Sequence, residues 1–235
     1  MFNHPVGGSP MFNLKETVHR RGFLGSIAVG AATLGLASLP TSTNLLANPP
    51  GPKETEFEAA LKKMKGRRHK QVFDAPMPNE GFSVLWSWAF LATNNGTGTP
   101  DKDLGVAVVF RHDAIPFAME DRLWAKYKFG EAFKITDKAT KAPSVRNVVT
   151  HIKPEDMPLP DMALELVQKR GVVFGVCDLA LTVYSKHIAG EMKMDADEVK
   201  KDWVSGLLPG MVILPSGVWA VNRAQEYGFS YCYAG

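Results

Sequence analysis

The stretch GVVFGVCDLALTVYSKHIAG, residues 171–190, holds the side chain best suited to nucleophilic chemistry. A run of small and β-branched apolar residues ends at Cys177, and helical spacing follows. A thiol at the start of a helix meets unpaired N–H groups and the positive end of the helix dipole, which favour an anion and hence a thiolate. Asp178, next in sequence, opposes this with a negative charge. Position alone leaves two readings open, a reactive thiol and a buried structural one. His112, in Arg111-His112-Asp113, closes a second apolar run and offers an imidazole that could take a proton from a thiol or cap the following turn. Ser216 and Gly217 close a third run, MVILPSG, where a hydroxyl and backbone N–H groups could hold an anion, and Asp178 joins them as a binding residue of the same rim. Cys232 lies inside a terminal apolar run between Tyr231 and Tyr233, which fits sheet packing and places it poorly to bridge a strand end.

These residues share one rim only if the elements are arranged to allow it. HKQVFDAP, LGVAVVFR, VVFGVC, MVILPSG and FSYCYAG read as five strands, and segments with helical spacing lie between them. Strands alternating with helices predict a three-layer α/β/α sandwich with a mostly parallel five-stranded sheet. In such sheets sites form beyond the carboxyl ends of the strands. Those ends are Asp74 to Pro76, Arg111 to Asp113, Cys177 to Asp178 and Pro215 to Gly217. Between them, EGFSVLWSWAFLATNNG predicts one helix and IPFAMEDRLWAKYKFGEAF another that begins after Pro116. Asp195 and Glu198 have the spacing of a capping box. The segment from Lys134 to Lys153 is polar and irregular.

The first 49 residues read differently. HRRGFLGSIAVGAATLGLASLP sets Arg20 and Arg21 before a weakly apolar, Gly- and Ala-rich run that Pro40 ends, which is the pattern of a signal peptide. The arginine pair with Gly22, Phe23 and Leu24 resembles the twin-arginine (Tat) export motif, although His19 replaces the usual Ser or Thr. The resemblance implies passage through the Tat translocase and a periplasmic or otherwise exported protein, anchored to the inner membrane if the leader is not cleaved. Residues 50–68, rich in proline and charge, read as a linker with one loose helix, and 69–235 as the α/β domain. Without residues 1–49, which contain Lys15, Glu16, Arg20 and Arg21, 24 basic residues face 23 acidic ones. Nothing in that balance fits a nucleic-acid partner. No CxxC, HxH or HExxH pattern occurs, so neither a metal nor a cofactor is expected, and no GxSxG marks a serine nucleophile. GTGTPDK precedes a strand instead of joining strand to helix, which excludes a phosphate loop.

From Gly171 onward the chain resembles the DsrE/DsrF-like proteins. The residues that carry this are GVVFGVCDLAL, Leu208-Pro209-Gly210 before a strand ending Pro215-Ser216-Gly217, and Gln225 with Gly228 before a last strand; VVFRHDAIPFAM resembles the family's second strand, often ending in a histidine. The resemblance implies a sandwich that assembles into trimers or hexamers, and a cysteine, here Cys177, that carries sulfur as a persulfide between a donor and an acceptor. The expected function is therefore an exported sulfur carrier, with His112 adjusting the protonation of Cys177. The alternative is a non-catalytic periplasmic module that binds a small ligand or assembles, with Cys177 structural.

Overall fold

Five short runs rich in Val and aromatic residues build one sheet: β1 His69–Ala75, β2 Leu104–Phe110, β3 Val173–Cys177, β4 Val212–Leu214 and β5 Ser230–Tyr233. The computed structural model describes residues 54–152 and 160–235; the leader, with Arg20 and Arg21, lies outside the described residues. The strand order is β4-β3-β2-β1-β5, and every pairing is parallel. All seven residues of β2 are buried, as the middle strand of a sheet covered on both faces requires.

The helices are α1 Glu56–Lys63, α2 Phe82–Gly96, α3 Asp121–Tyr127, α4 Phe129–Ala132, α5 Leu164–Lys169, α6 Asp178–Met192, α7 Ala196–Ser205 and α8 Gly217–Glu226. They divide between two faces, which makes the fold a three-layer α/β/α sandwich. Phe73, Val108, Phe110, Phe174 and Val176 face a core shared with α2 to α7, while Val72, Ala107, Val109 and Leu214 face a second core under α1 and α8. The alternation along each strand assigns these residues to opposite faces.

Two segments differ from the sequence expectation. The loose helix expected within a linker is instead a packed element: a capping box between Thr55 and Glu58 starts α1, and its Phe57 and Leu61 are completely buried. The helix expected after Pro116 is divided into a 3₁₀ stretch, His112–Ala118, followed by α3 and α4, with Lys128 left-handed at φ 52° between the last two. Aromatic packing accounts for the break. Trp124, Phe129 and Trp203 stack edge to face in the first core, and a continuous helix could not present both Trp124 and Phe129 to it. The carbonyls freed near Pro116 are recovered by side chains: Trp124 Nε1 donates to those of Pro116 and Met119, and Asn147 Nδ2 to those of Phe117 and Met119.

Asp195 caps α7 by accepting from the N–H groups of Asp197 and Glu198. No helix among the described residues is long and apolar enough to cross a membrane.

Candidate functional site at the carboxyl end of the sheet

The chain leaves β3 toward one face and β4 toward the other. Ala180, Leu181 and Ile188 of α6 pack into the first core, and Ala220, Val221 and Ala224 of α8 pack into the second. Neighbouring parallel strands whose connections diverge in this way leave a crevice between them, the place where open α/β sheets bind ligands. Cys177 ends β3 on one side of that switch point, and Ser216 with Gly217 follow β4 on the other.

Cys177 is the last residue of β3 and the N-cap of α6, and its Sγ accepts the N–H of Ala180 at 3.3 Å. The residue is only 5% exposed. Ser216 plays the matching part for α8, its hydroxyl accepting from the N–H of Trp219 at 3.3 Å. Asp178, whose charge opposes an anion at the neighbouring thiol, is held by Lys200 of α7 at 2.8 Å. Lys200 thus offsets part of that charge.

A cation close to the thiol is Arg111. One residue beyond the last β2–β3 pair, Phe110 with Val176, it stands beside Cys177. Its guanidinium makes a two-pronged ion pair with Asp74 of β1, Nε to Oδ1 at 2.6 Å and the second nitrogen to Oδ2 at 2.9 Å. Asp74 is buried and also accepts from the Tyr231 hydroxyl at 3.0 Å. Asp74 raises the Arg111 pKa through these hydrogen bonds, burial works the other way, and Cys177 adds a smaller favourable electrostatic contribution. Burial, and then the hydrogen bond to Asp74, pushes the Tyr231 phenol up. Gly217 is required by this arrangement, because a Cβ there would lie 2.5 Å from Cβ of Arg111.

His112 makes its contacts with Asp113 and Tyr184. Its backbone is left-handed, φ 50°, its Nδ1 lies 3.1 Å from Asp113 Oδ1, and its ring meets Tyr184 of α6 edge to face at 5.6 Å. The Tyr184 hydroxyl donates to the same Asp113 oxygen. Burial first, and this hydrogen bond second, keep that phenol protonated well above its ordinary range. Among the described residues no hydrogen bond joins His112 to Cys177. The structure therefore brings Cys177, Asp178, Ser216 and Gly217 together around the crevice and adds Arg111, Asp74 and Tyr231, which the sequence reading did not select. The signal was an acid and a base following apolar residues at the strand ends, Asp74 after Val72 and Phe73 in HKQVFDAP and Arg111 after LGVAVVF.

Cys232 lies on β5, three strands from β3, a separation of roughly 14 Å at the usual strand spacing. A disulfide requires Cα atoms within about 7 Å, and both thiols are free. Burial pushes the Cys232 thiol up, which lowers its thiolate fraction at neutral pH. No group of three or more His, Cys, Asp or Glu side chains among the described residues is placed to hold a metal ion. No family model, curated protein or solved structure matches the chain.

Proposed function

We propose that this protein is an exported sulfur carrier in which Cys177 takes up sulfane sulfur as a persulfide. The observation that carries the reading is the setting of Sγ: it accepts the Ala180 N–H at the start of α6, and the strand register places Arg111 next to Cys177, where the two interact electrostatically. An N–H donor and a fixed cation are what an anionic terminal sulfur needs. The step balances without an oxidant. The Cys177 thiolate attacks the outer sulfur of a persulfide or polysulfide donor, a new S–S bond forms as the donor's breaks, and the donor leaves as a thiolate. Passing the sulfur on repeats the exchange with an acceptor thiol. Such a protein is a carrier more than a turnover enzyme, and the family resemblance adds assembly into trimers or hexamers. Arg111, not His112, supplies the charge beside the sulfur in this reading.

One observation favours the rival, a binding or assembly module with a structural cysteine. Sγ already caps α6, and Cys177 is 5% exposed, so a donor must reach a nearly covered atom. Intact mass after incubation with polysulfide separates the two. The carrier predicts a gain of whole sulfur atoms that survives Cys232→Ser and disappears in Cys177→Ser. The structural reading predicts no gain at Cys177 while the protein is folded.

A further inference from the structure

A cleft of about 750 Å³ opens where the chain leaves β1 and β2, away from Cys177 and Arg111. One wall is the segment from Met77 to Glu80, another is Asp113, and the third is built from the irregular stretch 132–152. That stretch is held in place by its own hydrogen bonds. Ser144 N–H donates to the Ile135 carbonyl at 2.8 Å, Asp137 N–H to that of Ala142 at 2.9 Å, and an isolated bridge joins Thr136 to Pro143. The Asp137 carboxylate accepts from the N–H groups of Ala139 and Thr140 and from Arg146 Nε at 2.8 Å. Gly130 lets Ser144 approach so closely that any Cβ there would collide with its backbone. The wall is therefore preformed, and long ordered loops without regular structure are seldom kept in compact domains except for function.

The lining combines an apolar floor with surplus positive charge. Phe133 and Ile135 are nearly covered and Val148 is partly so. Of the cations on the cleft, Lys138 pairs with Glu80 at 3.3 Å and Arg146 with Asp137. Asp113 is engaged by His112 and Tyr184. The side-chain ammonium groups of Lys134 and Lys141 have no hydrogen-bond or ion-pair partner among the described residues. Both have left-handed backbones, φ 55° and 59°, as do Asn79 and Glu80 opposite, so four of the eight described non-glycine residues with positive φ line this cleft. Such conformations cost energy and gather at ligand clamps.

We propose that this cleft binds a small organic anion with an apolar body, its carboxylate or sulfonate paired with Lys134 and Lys141 and its hydrocarbon part against Phe133, Ile135 and Val148. The volume falls in the range of small-molecule sites. The site does not depend on the role of Cys177.

The probe is anilinonaphthalene sulfonate, titrated into the full-length protein and followed by fluorescence, with octanoate as competitor and octanol as its uncharged counterpart. One saturable site is expected, displaced by octanoate and at least about tenfold less well by octanol. Lys134→Gln with Lys141→Gln should weaken the probe roughly tenfold, the modest loss expected when two partly exposed ion pairs are removed. Lys186→Gln, on the exposed side of α6, should leave the affinity unchanged. Both cleft lysines are exposed, so neither substitution disturbs the core, and an unchanged near-ultraviolet circular dichroism spectrum checks this. Amide shifts on octanoate binding should fall within 132–148 and 77–81. Absence of saturable binding, equal affinity of the double variant, or shifts centred on Cys177 and Ser216 would overturn the proposal.

Discussion

Replacing Asp74 with alanine tests the ion-pair network beneath the crevice. Asp74 is 3% exposed, and its carboxylate accepts three hydrogen bonds, two from Arg111 and one from Tyr231. Its removal leaves a guanidinium and a phenol without their acceptor. Breaking a fully buried pair costs about 3 to 5 kcal/mol. The Arg111 side chain is 27% exposed, so water reaches part of it, and about 2 to 3 kcal/mol is the reasoned loss. For a domain of this size that is a fall in Tm of roughly 5 to 10 °C. Urea unfolding at neutral pH gives the free energy directly, and a cycle with Arg111→Met isolates the pair. The double variant should recover part of the loss, because no unpaired charge then remains. A loss below about 0.5 kcal/mol for Asp74→Ala, or single-variant losses that simply add, would refute the claim that this pair is tightly coupled.

Further outcomes follow from the same geometry. Gly217→Ala forces a methyl onto the Arg111 stem, and overpacking of this kind costs about 1 to 3 kcal/mol by thermal unfolding. Ser216→Ala removes the cap of α8 and should cost about 1 kcal/mol, while Ser216→Gly should cost only a few tenths. Asp202 feels burial raising its pKa, but the hydrogen bonds from Lys126, Arg122 and Tyr127 outweigh it and hold the folded carboxylate well below its usual range. A depressed folded pKa gives stability that is present above the unfolded value, about 3.9, and is lost as pH falls toward the folded one. The stability difference between wild type and Asp202→Asn should therefore be full at pH 7 and shrink below about pH 4; a difference constant from pH 7 to pH 2.5 would count against the network.

How far the sequence could be read differs from element to element. LGVAVVF is apolar at every position because β2 is covered on both faces, so local composition alone identifies it as a central strand. Cys177 and Ser216 were legible as strand-to-helix junctions for the same local reason. The Asp74–Arg111 pair was not, since its partners are 37 residues apart and meet only through the β1–β2 register. The break at Lys128 carries no glycine or proline to announce it; the demands of Trp124, Phe129 and Trp203 on the core impose it. Phe57 and Leu61 have helical spacing, yet the charges around them hid how deeply α1 packs. The cleft was the least visible, because its wall is made by side chains such as Asp137 and Asn147 bonding to backbone that no periodic pattern marks.

The central claim, that Cys177 carries transferable sulfur, is tested most directly by cyanolysis of the polysulfide-treated, desalted protein, with released thiocyanate counted per chain. Cyanide removes the outer sulfur of a persulfide and returns the thiolate. The account predicts about one equivalent from Cys232→Ser and none from Cys177→Ser. Equal release from both variants, or none from Cys232→Ser while it remains folded, would contradict it.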